Sequence, residues 1–371
     1  MNILELCLSP GLGGLELYVY RSAEALNENQ TNNVIAVLSE NSKLDEHFEK
    51  NSSIPRKYIK HFFRALPVLN AIKLASIIDT NQIDVIHMHW GKDLPLAAFA
   101  KAFSRRKPAL IYTRQMMVTR AKNDFYHSFL YGQLDILFTI TKELENLYKK
   151  YIRNFSDKVI TLYYGVKKPD HILNSDEIAK LRHKYDLSAN DFVVGLIGRL
   201  EEGKGQYLLI EAIHKAKENN QNIKALIVGH EMNTGYREIL RKQADKFGIA
   251  NNIKFEDFVS QPQQLMQLCD CIVLASEQET FGLVLPEAMR AGIAVIGSNS
   301  GGVPEIIDHE KTGLLFETKN SGDLNAQIEK LYLDPELKHN LAQQGQQSAD
   351  NRFNNTLHFQ QLEKHIKSIN P

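Results

Sequence analysis

Two α/β domains, each a doubly wound parallel sheet, are what this sequence predicts, and three observations predict them. At 371 residues the chain is too long for one ordinary core. Short apolar runs recur, each followed by a helix-like stretch, which is the pattern of parallel strands covered by helices on both faces. The pattern runs through twice, with the polar stretch 170–191 between the halves. Doubly wound sheets bind ligands beyond the carboxyl ends of their strands. Two such domains facing each other would therefore leave a cleft between those ends.

In chain order, the first half carries strand-like runs at 3–8, 34–38, 84–89, 110–113, 136–140 and 159–163. The second carries them at 192–198, 224–228, 253–255, 271–275 and 294–297. Amphipathic stretches such as 15–26, 207–217 and 236–247 read as the intervening helices. Val166 lies near the boundary. Residues 1–165 form the first expected domain and 166–345 the second; the chain is helical and polar after Pro335, with the terminal helix at 346–371. No solenoid-period repeat or low-complexity tract appears.

Composition narrows the classes. Hydrophobic content of 43% and charged content of 24% are those of a soluble globular protein. Lys+Arg and Asp+Glu balance at 44 each, so charge gives no reason to expect a nucleic-acid partner. Cys7, Cys269 and Cys271 are too few for a disulfide framework, and one residue between the last two is not a metal or redox spacing. No apolar run reaches the roughly 18 residues of a spanning helix. The N-terminus has no basic region ahead of its apolar run, so a signal peptide is not expected and the cytoplasm is.

Three glycine-rich spots fall at strand ends. SPGLGG, 9–14, opens the first helix but is not G-x-G-x-x-G, because Glu16 stands where the third glycine belongs. It reads either as a tight turn or as bare backbone that admits a substrate closely. GRLEEGKGQ, 198–206, is not a P-loop; Arg199 and Lys204 lie five apart across its turn. Such a pair suits a diphosphate, with the fork of Arg and the point charge of Lys, unless Glu201 and Glu202 neutralise it. The stretch 276–307 sets Glu279 and Glu287 eight positions apart around Phe281-Gly282, ahead of the turn Ser300-Gly301-Gly302. A helix starting close to Pro286 would present the N–H groups of Phe281, Gly282 and Leu283 to an anion. Glu287, one turn in, could then accept from paired hydroxyls. The plainer alternative, two acids favouring a helix start, explains neither glycine turn.

His87 and His89 share one strand face. They could ligate a metal, but no third ligand is evident nearby, and no metal is expected. Lys57, Lys60, His61, Phe62, Phe63 and Arg64 mix charge with aromatics, and Arg105, Arg106 and Lys107 form a second basic cluster. Both suggest either a solvated face or peripheral contact with an anionic membrane.

Taken together, Gly198-Arg199 with Lys204-Gly205, Glu279-x7-Glu287 around Phe281-Gly282, and Gly301-Gly302-x-Pro304-Glu305 resemble the retaining glycosyltransferases of family 4. Gly13-Gly14-x-Glu16 fits as well, and His87-x-His89 before Lys92-Asp93 looks like a variant among lipopolysaccharide and capsule enzymes. The resemblance implies the GT-B architecture: two Rossmann-like domains across a cleft, the last helix crossing back to the first. It implies transfer of a hexose-type sugar, without metal or cofactor, from a nucleoside-diphosphate sugar to a glycan or lipid-linked saccharide of a bacterial surface. Arg199 and Lys204 would hold the diphosphate and stabilise the leaving charge, with Glu279 on the sugar as the third catalytic residue. Gly13, Gly14, Thr280, Phe281, Gly282, Leu283, Val284 and Glu287 would complete the donor site, Glu287 on the ribose. Gly14, His89, Lys92, Arg114 and Gln115 would meet the acceptor. Segments 229–231 and 257–259 would line the base. Gln115 stands where many relatives carry histidine; glutamine can donate a hydrogen bond but cannot act as a base. A nucleotide-sugar epimerase of this fold and a non-catalytic nucleotide-sugar-binding protein are the other classes that the residues leave open.

Overall fold

The computed structural model describes residues 1–60, 66–118, 120–259 and 261–369. It divides into two units, one made of residues 1–163 with the chain from Thr356, the other of Tyr164–Asn355.

In the first unit strands and helices alternate: β1 (Asn2–Cys7), α1 (Gly14–Glu28), β2 (Asn33–Leu38), α2 (Lys43–Asn51), β3 (Arg56–Tyr58), α3 (Val68–Thr80), β4 (Val85–Met88), α4 (Leu94–Phe103), β5 (Ala109–Arg114), α5 (Phe125–Gly132), β6 (Ile136–Thr139), α6 (Lys142–Tyr151) and β7 (Val159–Thr161). Among the described residues the strands form one seven-stranded sheet, ordered β3-β2-β1-β4-β5-β6-β7. Every pairing is parallel. The order turns back between β1 and β4, and at such a switch point the crossovers change face. Runs such as Val85–Met88 are buried throughout, as helices on both faces require.

The second unit repeats the plan: α7 (Ser175–Lys184), β8 (Phe192–Ile197), α8 (Gln206–Glu218), β9 (Ile223–Val228), α9 (Tyr236–Lys246), β10 (Ile253–Glu256), α10 (Pro262–Met266), β11 (Cys271–Leu274), α11 (Val284–Arg290), β12 (Ala294–Ser298), α12 (Val303–Ile306), β13 (Leu314–Phe316), α13 (Ser321–Leu333) and α14 (Pro335–Arg352). Its parallel sheet runs β10-β9-β8-β11-β12-β13, with the switch between β8 and β11. The helix starts are chemically marked. Asn174 and Glu177 form a reciprocal capping box on α7, and Asp334 caps α14 ahead of Pro335.

The last helix, α15 (Asn355–Ile369), belongs to the first unit. Leu362 and Ile366 are fully buried there, and Glu363 accepts from Asn29 and Asn32. A division at 346 falls inside α14, whose Leu341, Gly345 and Ala349 are buried in the second unit; the change of unit comes after Asn355. The polar composition of both helices conceals that boundary. β3 and β13, three residues each, are too short to show a period in sequence. Among the described residues no helix is long and apolar enough to cross a membrane. His61, Phe62, Phe63 and Arg64 lie outside the described residues.

Candidate active site

In the second unit the site is built where β8 and β11 end. After Gly198 and Arg199 a short 3₁₀ turn, Glu202–Lys204, leads to Gly205, which opens α8 at φ +72. A Cβ on Gly205 would sit 2.2 Å from the Ala275 carbonyl oxygen, so glycine alone lets this turn lie against the end of β11. That approach brings Lys204 Nζ to 2.8 Å from Glu279 Oε2, with both side chains about four-fifths buried (22% and 19% exposed). Ser276 Oγ donates to the same carboxylate oxygen at 3.3 Å, and the Glu277 N–H donates to the Gly203 carbonyl at 3.0 Å.

The glycine doublet downstream holds this loop. Gly301 has φ +58, and a Cβ there would lie 2.0 Å from the Glu279 carbonyl oxygen. The Gly302 N–H donates to that oxygen at 2.9 Å, and Ser300 Oγ donates to the Glu277 carbonyl at 2.7 Å. Gly282 has φ +91 and packs on Leu274. The turns that the sequence left as backbone features are thus the clamps on the loop bearing Glu279.

Not every expected residue serves by its side chain. Phe281 is buried at 2% exposure and packs edge-on against Tyr164 and Phe353 at 5.4 and 5.7 Å, so only its backbone could meet a ligand. Thr280, Leu283, Val284 and Glu287 are half-buried around the start of α11. Arg199 is half exposed and pairs with Glu201 at 3.0 Å. The neutralising partner weighed from sequence is therefore present for Arg199, whereas Lys204 takes Glu279. A cavity of about 460 Å³ is lined by Arg199, Glu201, Gly203, Lys204, Glu277, Gln278 and Lys319. Lys319, after β13, was not legible from sequence; it reaches Glu277 at 2.7 Å, and that carboxylate pushes its ammonium above the usual range. At the ends of β9 and β10, His230 meets the exposed Phe258 edge-on at 6.0 Å.

In the first unit Gly13 and Gly14 are exposed at the head of α1. Glu16, the residue that breaks the dinucleotide motif, closes their loop: it accepts from the Gly13 N–H at 2.8 Å and from Ser9 Oγ. Lys92 lies 5.1 Å over the Trp90 ring. Arg114 donates to the carbonyls of Met116 (2.6 Å) and Met117 (2.9 Å) and to the Tyr112 hydroxyl (2.7 Å). Its fork builds the turn that carries Gln115, and no acceptor contact is needed to explain it. Gln115 is 8% exposed.

His87 and His89 are buried, and the third group near them is Glu5 from β1, invisible to a search along β4. Glu5 Oε1 lies 3.1 Å from His87 Nδ1, and Oε2 lies 2.5 Å from His89 Nε2. Burial would raise the Glu5 carboxyl, but the charges and hydrogen bonds of the two histidines outweigh it and hold it down at about 2. Burial, with the charge of His87, brings His89 down to about 4 against the pull of Glu5.

Comparisons with known proteins bear on the family and the fold. The family model for group 1 glycosyl transferases matches residues 177–348, and that for glycosyltransferase family 4 matches 12–168. The N-acetyl-alpha-D-glucosaminyl L-malate synthase of Bacillus anthracis is 24% identical over 295 residues, 76% of this chain and 74% of its own. The crystal structure of Anabaena Alr3699/HepE in complex with UDP superposes with a TM-score of 0.87 at 24% identity, over 99% of this chain and all of that one. The lipopolysaccharide outer core galactosyltransferase WaaB, in its apo form, gives 0.78 at 16% identity over 99% of both chains. The family models and the fold together define a glycosyltransferase of the GT-B fold. The chain belongs to glycosyltransferase family 4. Of the three classes open at the level of sequence, the transferase is the one that stands.

Proposed function

We propose that this enzyme transfers a hexose-type sugar, with retention and without a metal, from a nucleoside-diphosphate sugar to a glycan or lipid-linked saccharide of a bacterial surface polysaccharide. The observation that carries the reading is the Lys204–Glu279 pair, 2.8 Å apart and held by three glycine turns. A diphosphate entering beside Lys204 would take the ammonium from Glu279. The carboxylate would then be free to accept from hydroxyls of the transferred ring. Lys204, with Arg199 and Lys319 lining the same cavity, places positive charge where the leaving diphosphate gains negative charge, which is electrostatic stabilisation by preorganised groups. The anomeric carbon–phosphate oxygen bond breaks as the carbon–acceptor oxygen bond forms on the same face. The acceptor's proton passes to a phosphate oxygen, since Gln115 cannot take it. Glu287 is assigned to the ribose and the His230–Phe258 pair to the base. UDP is the first candidate, because HepE, of the same fold, binds it.

The second unit would hold the donor and the first would read the acceptor through Gly14, His89, Lys92 and Gln115. The first unit also exposes Leu66, Leu69 and Ile72 (63%, 83% and 52%) close in sequence to Lys57, Lys60 and Lys73. That mixture supports work at the inner face of the cell membrane, with the protein peripheral to anionic lipid.

The test is thermal shift in EDTA with UDP, GDP and ADP against their monophosphates, repeated on Lys204→Ala. One diphosphate should stabilise the protein well above its monophosphate. Lys204→Ala should lose that difference and at least ~100-fold in donor turnover; unchanged turnover would falsify the diphosphate role.

A further inference from the structure

The carboxylate of Glu5 has no task in the chemistry above, yet it is fully buried at the switch point of the first sheet, in register with His87 across β1 and β4. A carboxylate only accepts hydrogen bonds, so every group that touches it donates. Ser22 Oγ donates to Oε1 at 2.8 Å, His87 Nδ1 to Oε1 at 3.1 Å, and His89 Nε2 to Oε2 at 2.5 Å. The other ring nitrogen of His87 meets Thr113 Oγ1 at 2.7 Å. For His89 the consequence is specific. With the proton on Nε2 and the ring neutral, Nδ1 is a bare lone pair, and among the described residues it has no hydrogen-bond partner although the side chain is 1% exposed.

Gln115 has the complementary defect: its Nε2 donor is buried without a partner among the described residues. Met88 pairs with Tyr112, so the register, continued by one residue, sets His89 level with Thr113, and Gln115 follows two residues later, just past the end of β5. Both stand at the carboxyl ends of adjacent strands, next to the glycine loop that follows β1. An empty acceptor and an empty donor, each unfavourable while unpaired, match a hydroxyl, which donates and accepts at once.

We infer that Glu5 is a positioning residue: it fixes His89 as the Nε2–H tautomer, so that His89 Nδ1 and Gln115 Nε2 together read one hydroxyl of the acceptor saccharide. Glu5 itself touches no substrate. The inference rests on the acceptor reading of the first unit. A metal ion is the competing occupant, since ligand atoms of Glu5, His87 and His89 lie within 4.8 Å of one another. Metal on Nε2 would drive the proton to Nδ1, the opposite tautomer, so the tautomer decides between them.

The experiment is long-range ¹H–¹⁵N correlation of the imidazole rings in the full-length protein at neutral pH, with His89 assigned through His89→Asn. Wild type should show a protonated Nε2 and a bare Nδ1; an Nδ1–H ring, or one equivalent of transition metal in the purified protein, overturns the inference. Methyl glucoside, galactoside and mannoside are then added with UDP. One of them should shift the Nδ1 resonance, and Glu5→Gln should reverse the tautomer and weaken that glycoside's binding about tenfold. If the tautomer is as expected but no glycoside moves Nδ1, the hydroxyl assignment falls while the Glu5–His89 coupling stands. The nucleotide test above is independent of both results.

Discussion

Single residues in this protein matter most where backbone is packed against backbone. Gly301 shows it: the sequence marks a turn, but only the structure shows that an added Cβ would lie 2.0 Å from the carbonyl oxygen of Glu279. With φ at +58 as well, Gly301→Ala should cost about 1–3 kcal/mol of stability and weaken diphosphate binding by moving the Glu279 loop. Melting temperature and nucleotide titration check both effects. Gly14→Ala is the control for stability, since no atom lies within 4 Å of its Cβ, and its melting temperature should barely change. What was legible at this scale follows one rule. Lys204 and Glu279 were readable because each sits in a glycine-rich turn whose type demands explanation. Glu5 and Lys319 were not, because each reaches its cluster from another strand or a distant loop, and no spacing in sequence records that. Arg114 was read as an acceptor contact, and its fork goes to its own loop; Phe281 was read as a backbone donor, and its ring goes to the core.

Elements were easier to read than residues. Strands buried on both faces must be apolar runs, so β1, β4 and β8 announce themselves, whereas three-residue edge strands such as β3 carry no period. Helix α3 is the informative case. Its buried residues, Ala71, Leu74, Ala75 and Ile78, satisfy the sheet, yet Leu69 and Ile72 point apolar surface at solvent. A helix gains nothing in water from that second stripe. The protein should therefore sediment with vesicles containing anionic lipid at low salt, and the double change Leu69→Ser, Ile72→Ser should release it. Full recovery of the wild type in the supernatant would remove the membrane reading.

At the scale of the molecule, its histidines set a limit on acid stability. His89 and His358 are both brought down to about 4 by burial, from an ordinary value of 6.5. Between those values the unfolded chain binds protons that the folded chain refuses, so stability rises with pH across that window and falls as the medium is acidified from 6.5 towards 4. Glu5, held at about 2 against 4.5, adds a further loss below pH 4.5. Melting curves from pH 7.5 to 4 should show a steady fall; a flat profile from 6.5 to 4.5 would contradict the burial of these rings as neutral species.

The path of the chain has a consequence of another kind. Because α15 returns to the unit that contains β1, the second unit is a guest inserted into a host that its own last helix completes. A ribosome finishes the guest before it has made all of the host, so the host must wait, lacking Leu362 and Ile366 in its core, until the final residues emerge. The guest enters and leaves through two neighbouring seams, at Tyr163–Tyr164 and Asn355–Thr356. One continuous cassette could thus be exchanged for that of a relative without cutting the host anywhere else.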